Sequence, residues 1–177
     1  GAPVTIARLQ VRAVERRTAI PPIQHPLRAT LGDAVTFLGY DLTSDTVAPG
    51  DTVQLTLYWQ ATGRMDKSYK VFTHLLDANE RIVAQQDNVP VGGQRPTTGW
   101  VSGEVIVDHY TLVLKPDAAS GDYVLEIGLY EAITGERLPV RDAAGQPLRA
   151  TVLNSRRLGF RVGQTRVGHR RVVCAIG

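Results

Sequence analysis

The strongest constraint on the fold is an alternation of apolar and polar residues with a period of two. In TVQLTLYWQA (residues 52–61), every second side chain, up to and including Trp59, is apolar. DYVLEIGLYE (residues 122–131) repeats this pattern, starting from Tyr123. Because successive side chains of a strand point to opposite faces, each segment predicts a strand that covers a core on one side and meets water on the other.

Shorter alternating runs predict further strands, and turn residues separate them. The clearer runs are 34–43, 69–77, 82–86 and 104–114, and the weaker ones are 5–14, 148–153 and 158–162. Tight turns are predicted at residues 48–51 (APGD), 77–80 (DANE), 134–135 (TG) and 144–145 (AG). About eight or nine short strands joined by turns predict an all-β fold, an antiparallel β-sandwich of immunoglobulin-like or jelly-roll-like type, with a closed barrel as the alternative.

Three connecting segments carry more specific expectations. Residues 88–103 contain two prolines and four glycines around Trp100, which predicts a long ordered loop or crossover. Residues 115–121 (KPDAASG) have room for one helical turn at most. The glycine turn that leads into Tyr123 resembles the corner of immunoglobulin-like sandwiches, in which a tyrosine hydroxyl bonds to the backbone.

Charge divides the chain into three parts, although its net charge is only +3. Residues 1–27 carry four arginines and one acid, residues 28–136 carry seven basic and fifteen acidic side chains, and residues 137–177 carry nine arginines and one acid. We expect an N-terminal arm or edge strand at 1–27, a sandwich domain at 28–162 and a basic tail at 163–177. The basic end is expected to be solvated or to dock on the acidic body.

Composition excludes several classes of protein. An apolar fraction of 43% excludes intrinsic disorder, and no apolar run approaches the roughly 18 residues that a membrane span needs. The single cysteine, Cys174, excludes an intramolecular disulfide. The arginine-rich stretch 166–173 contains no aromatic residue, so a nucleic-acid partner is not expected.

The residues that commonly carry metal or catalytic chemistry give no recognisable constellation. A metal site would need His74 and His109 on neighbouring strands, and the alternative is that each is a hydrogen-bonded strand histidine. Three aspartates near Pro49–Gly50, namely Asp41, Asp45 and Asp51, suggest either a calcium site or turn-forming side chains. The sequence therefore predicts no catalytic residue, no metal and no cofactor.

Aromatic residues provide the best candidates for ligand binding. Sugar recognition uses flat aromatic faces with polar groups nearby. Tyr58 and Tyr130 lie on the polar phase of their predicted strands, and Trp100 lies in the long loop. If the three cluster on one exposed face, they form a carbohydrate platform; otherwise Trp100 folds back to plug one end of the sandwich and the tyrosines cover sheet edges.

Residues 37–140 resemble a known family as an ordered pattern. The segments that carry the resemblance are FLGYDL, VAPGDTVQLTLYWQA, YKVFTHLLDANERIVAQQDNVPVGG, GWVSGEVIVDHYTLVL and SGDYVLEIGLYEAITGERLPV. They resemble a β-sandwich module of bacterial proteins, often the extracytoplasmic C-terminal region of membrane glycosyltransferase-like proteins related to the dolichyl-phosphate-mannose–protein mannosyltransferases. The resemblance implies an exported accessory domain, and it brings no catalytic residues.

Three functional hypotheses follow. The first is a non-enzymatic, exported accessory domain, a piece of a larger protein that contacts a protein or glycan at the cell envelope without itself spanning the membrane. The second is a carbohydrate-binding module that uses Trp100, Tyr58 and Tyr130. The third is a hydrolase that uses Asp108 or His109, which needs a cleft with a second acid or base.

Overall fold

The computed structural model describes residues 14–148 and the backbone of residues 160–162. This part of the chain contains ten strands and one short 3₁₀ helix, Thr97–Gly99. The strands are β1 (His25–Leu31), β2 (Val35–Leu42), β3 (Thr46–Val47), β4 (Thr52–Ala61), β5 (Tyr69–Leu76), β6 (Ile82–Asn88), β7 (Val105–Val113), β8 (Asp122–Glu131), β9 (Val140–Asp142) and β10 (Phe160–Val162).

The strands form two five-stranded sheets, which confirms the predicted β-sandwich. Sheet 1 has the order β7-β4-β2-β1-β9, and sheet 2 has the order β3-β10-β8-β5-β6. All pairings between these strands are antiparallel except that of β3 with β10. Among the described strands no pairing joins one sheet to the other, so the closed-barrel alternative is wrong.

The inward phases of the two sheets form the core, as the alternation predicts. Trp59 on β4 is 1% exposed and packs against Phe37 on β2, with ring centroids 4.9 Å apart. From the opposite sheet, Leu129 and Ile127 on β8 are buried in the same cluster. The bounds of β4 and β8 are those of the alternating segments, because large apolar side chains at every second position define both the strand and its inner face.

Two predicted tight turns have the expected chemistry. The Asp51 N–H donates to the Ala48 carbonyl at 3.0 Å, and Gly50 between them has φ +85°, a conformation that favours glycine. In the β5–β6 hairpin, the Asp77 carboxylate accepts the backbone N–H groups of Asn79 and Arg81 at 2.8 and 2.9 Å. These side-chain and backbone bonds fix the ends of the flanking strands.

The three connecting segments also have their predicted forms. Residues 88–103 cross from β6 in sheet 2 to β7 in sheet 1 as an ordered loop. Residues 115–118 form a single turn, closed by the Ala118 N–H on the Lys115 carbonyl at 3.0 Å. The Tyr123 hydroxyl donates to the Ala119 carbonyl four residues upstream, which is the bond expected of a tyrosine corner.

An N-terminal arm, residues 14–24, lies across the outer face of sheet 1. It starts beside the edge strand β7, where the Val105 N–H donates to the Arg17 carbonyl at 2.7 Å. It ends beside β2, where the Gln24 N–H donates to the Asp41 carboxylate at 2.7 Å. The predicted boundary between residues 27 and 28 falls inside β1, because this strand begins at His25, directly after the arm.

The sequence patterns missed three strands. β3 and β9 have two and three residues, too few for an alternation, and they exist because neighbouring strands supply their hydrogen bonds. β1 was missed because its first four residues are exposed, so it lacks a regular apolar phase. Of the weaker predictions, 158–162 contains β10, whereas 5–14 and 148–153 lie mainly outside the described residues, as does the predicted tail at 163–177.

Candidate functional site

The structure does not bring Trp100, Tyr58 and Tyr130 together on one exposed face. Trp100 is 3% exposed and packs in the main core, and its Nε1–H donates to the Arg95 carbonyl at 3.0 Å. The long loop therefore folds back and inserts its indole between the sheets. Tyr58 lies on sheet 1 and Tyr130 lies on sheet 2, so the two tyrosines face opposite sides of the sandwich.

Tyr58 points outward from β4, but the arm covers it. The side chain is 7% exposed and belongs to a small apolar cluster with Leu38 and Val105, against which Ile23 of the arm packs. Its hydroxyl donates to the Asp41 carboxylate at 2.6 Å. Burial, with support from that carboxylate, raises the pKa of Tyr58 to about 12. Tyr58 thus serves as a contact between the arm and the sheet.

Tyr130 belongs to a cluster on the outer face of sheet 2 that is centred on Phe72. The Tyr130 and Phe72 ring centroids are 6.2 Å apart. Phe72 points outward from β5 but is only 1% exposed, because the Arg137 guanidinium lies 4.2 Å above its ring. Burial is the main cause that raises the pKa of Tyr130, and the Asp87 carboxylate adds to the rise. Sequence reasoning missed Phe72 and Arg137 because they meet only through the fold.

Charged side chains surround this aromatic cluster. His74 on β5 has its two ring nitrogens 3.3 Å from a carboxylate oxygen of Asp87 and of Glu126, respectively. The Arg137 guanidinium donates to Glu126 Oε1 at 2.7 Å. Arg137 comes from the segment that folds back along β8, where the Leu138 N–H donates to the Leu129 carbonyl at 2.8 Å. A basic side chain therefore docks on an acid of the sandwich, whereas the docking predicted for the basic tail at 163–177 falls outside the described residues.

Two more basic side chains dock on a buried acid directly before β7. Glu104 is 2% exposed, and its carboxylate accepts bonds from Arg16 of the arm, Arg95 of the long loop and the Val101 N–H. Burial alone would raise the pKa of Glu104. The two arginines and the backbone N–H outweigh burial and lower it. Glu104 thus ties the arm and the long loop to the sandwich.

Asp108 on β7 is a fully buried acid in the core. Its Oδ1 accepts the Val91 N–H at 2.7 Å and its Oδ2 accepts the Tyr110 hydroxyl at 2.7 Å. Burial is the main cause that raises the pKa of Asp108, and these two bonds oppose the rise. Val91 has φ +57°, which is unfavourable for a β-branched residue, and the bond to Asp108 holds its backbone in place.

The candidate metal and hydrolytic residues are distributed over the sandwich. His109 lies on sheet 1 and points outward, where its Nδ1 is 3.0 Å from Thr56 Oγ1, whereas His74 lies on sheet 2. Asp51 accepts the Ala48 N–H at 2.9 Å in its own turn, which favours the turn-forming interpretation over the calcium site. In residues 14–148 no group of three or more His, Cys, Asp or Glu side chains is placed to hold a metal ion.

One end of the sandwich has a groove with a volume of about 410 Å³. It lies where the β1–β2 turn, residues 32–34, meets the β4–β5 connection, residues 62–68, and the segment before β9. Polar and apolar side chains line it together, with Met65 buried and Asp66 exposed. We call it the end groove.

No protein-family model matches the chain, and a search of curated proteins finds no match. Among the described residues, no helix has the length and apolar character that crossing a bilayer requires. The functional proposal therefore depends on the residues and their geometry.

Proposed function

We propose that this chain is a non-enzymatic β-sandwich accessory domain of a larger exported protein, and that it binds a protein or glycan partner at the cell envelope. The observation that carries the proposal is the use of three buried carboxylates within residues 14–148, which belong to Glu104, Asp108 and Glu126. Each of them lies on a strand or directly before one and bonds to a connecting segment. Their contacts indicate a scaffold whose connecting segments are held by internal hydrogen bonds.

The hydrogen bonding of these carboxylates supports a structural role. A catalytic acid or base needs an oxygen within reach of the substrate proton. Both oxygens of Glu104 accept arginine N–H groups, and both oxygens of Asp108 accept bonds from within the protein. Glu126 has one oxygen on Arg137 and the other beside His74. Such acids position the chain and leave partner binding to the sandwich surface and end loops.

Neutralising Glu104, whose pKa is lowered in the folded protein, tests the non-enzymatic part of the proposal. Active-site carboxylates often reduce stability, so removing their charge commonly leaves stability unchanged or raises it. We expect Glu104→Gln to lower the free energy of unfolding, since it weakens charge-assisted bonds to Arg16 and Arg95 at a buried site. Urea denaturation measures the change, with the exposed Glu80→Gln as the matched control. A more stable Glu104→Gln variant would contradict a structural role.

The resemblance of residues 37–140 to extracytoplasmic modules of membrane glycosyltransferase-like proteins supports the exported location. A fusion of the complete gene product to alkaline phosphatase, which is active only outside the cytoplasm, tests this location. We expect phosphatase activity when the enzyme is inserted directly after Asp142, and none when the preceding export or membrane segments of the gene product are deleted. Fluorescence from a fluorescent protein inserted at the same position, without phosphatase activity from the phosphatase fusion, would refute the exported location.

The second candidate function is carbohydrate binding, and the end groove is the observation that favours it. A groove with an apolar floor and polar rim suits a sugar better than the dispersed tyrosines and Trp100 do, because Trp100 and Tyr58 are buried. The ligand class is the one predicted from the aromatic residues, but the binding site is the end groove instead of Trp100, Tyr58 and Tyr130.

A further inference from the structure

The end groove has the size of a small-molecule site. Its volume of about 410 Å³ falls within the roughly 300–1,000 Å³ range of typical ligand pockets. It lies among the loops at one end of the sandwich, and such loops supply binding residues on a rigid scaffold in many proteins. The opposite end of the molecule carries the turns at 48–51 and 115–118.

The groove combines an apolar floor with a charged rim. Leu31 and Met65 in the lining are 2% and 6% exposed, so the floor is continuous with the core. The Arg64 and Asp66 side chains on the rim are 86% and 93% exposed. Their nitrogen and oxygen are 3.7 Å apart, and such an exposed pair contributes little stability. Both side chains are therefore available to a ligand.

The rim carries charges of both signs. Asp33 and Asp66 are negative, Arg64 is positive, and the positive Lys67 is paired with Glu131 at 2.8 Å. A strongly anionic or cationic ligand would meet repulsion as well as attraction. A neutral ligand with many hydroxyl groups suits this rim, because carboxylates accept hydroxyl protons and the basic groups donate to hydroxyl oxygens. Its C–H surface would rest on the apolar floor.

Buried hydrogen bonds hold the rim loop in place. Thr97 is fully buried; its hydroxyl donates to the Lys67 carbonyl at 2.9 Å, and the same oxygen accepts the Tyr69 N–H at 2.9 Å. The Lys67 ammonium also bonds to Glu131 at 2.8 Å. The backbone of this part of the rim therefore loses little conformational entropy when a ligand binds.

We propose that the end groove is a carbohydrate-binding subsite for a neutral sugar unit, with Asp33 and Asp66 as hydroxyl acceptors. The inference rests on the proposed function, in which the domain works by binding. Of the two proposed partner classes, protein and glycan, it concerns the glycan and assigns its binding to the end groove. Tyr69, which also lines the groove, extends the apolar floor towards β5.

A glycan array of neutral oligosaccharides tests the proposal on the full chain. We expect binding by the wild-type protein and at least a tenfold loss for Asp66→Ala and for Asp33→Ala, about 1.4 kcal/mol each. Asp117→Ala, an exposed aspartate at the opposite end, is the matched control and should bind as the wild type does. Thermal melting should show unchanged stability for all three variants, because their side chains are exposed.

Two results would overturn this inference. If no neutral glycan binds, the groove is not a carbohydrate site. If glycans bind and Tyr130→Ala abolishes binding while both groove variants retain it, the sugar site lies on the outer face of sheet 2. Neither result bears on the scaffold role of the buried acids or on the exported location, which the denaturation and fusion experiments address separately.

Discussion

Replacing Trp59 by alanine tests the two-layer core directly. The indole is 1% exposed and lies between the sheets against Phe37. Burial of an aromatic side chain removes about 150–250 Å² of surface from water. At about 25 cal/mol/Å² this burial contributes about 4–6 kcal/mol to stability. The cavity left by alanine adds to the loss. The buried Nε1–H of the indole, which has no hydrogen-bond partner, partly offsets this loss.

The Trp59 Nε1–H is buried without a hydrogen-bond partner. It lies close enough to Asp108 to help lower the pKa of that carboxyl, but outside ordinary hydrogen-bond geometry. An unpaired buried donor costs about 1–3 kcal/mol, which alanine relieves. The expected net loss for Trp59→Ala is therefore about 3–5 kcal/mol, the usual range for deletion of a buried large aromatic residue.

Urea denaturation followed by circular dichroism measures this loss. Trp59→Phe keeps a ring against Phe37 and removes the unpaired N–H, so we expect it to lose less than about 2 kcal/mol. Gln54→Ala, on the outward phase of the same strand, should change stability by no more than about 0.5 kcal/mol. A loss below about 1 kcal/mol for Trp59→Ala would show that the indole does not face the core.

Three further predictions concern the arm and the buried ionisable groups. Gly39→Ala should displace the arm and the start of β1 and lower the melting temperature by several degrees. A Cβ there, at φ +138°, would lie 2.9 Å from Ile23 Cγ2 of the arm and would clash with the His25 carbonyl oxygen. Asp108→Asn should become more stable relative to the wild type as the pH rises above about 4. The pKa of Asp108 is raised in the folded protein, so its ionisation costs stability in the wild type. Urea titrations in which the free energy of unfolding has the same pH slope for both proteins would contradict this. Asp41→Asn should lower the pKa of Tyr58 from about 12, and the absorbance of the phenolate measures this pKa. In the wild type, the stability that comes from the raised pKa is complete below pH 10 and is lost as the pH rises through about 12.

The sequence predicts the parts of the fold that depend on local pattern. The bounds of β4 and β8 follow from alternating side chains, and the turn at Gly50 follows from the positive φ that glycine tolerates. β3 and β9 were not predictable, because strands of two and three residues depend on the partners that pair with them. Their existence is a property of the assembled sheets.

The candidate sites were harder to predict because they join distant segments. Asp33, Asp66 and Leu138 line one groove, but more than thirty residues separate each from the next, and nothing in their local sequence links them. The alternation places Trp100 in a loop, but only the core volume decides that the loop returns its indole to the interior. Patterns of period two identify faces and leave open which loops meet at the ends.

The arm explains why the polar phase of a strand need not face water. A period-two pattern assigns Tyr58 to the outer face of sheet 1, which is correct, but a second layer of chain covers that face. In the sequence, this covering is indicated by Gly39, because a Cβ there would lie 2.9 Å from Ile23 Cγ2 of the arm as well as against the backbone at the start of β1. A glycine inside an otherwise apolar strand therefore indicates close approach of another segment, and an outward aromatic residue beside it is better interpreted as an internal contact than as a ligand platform.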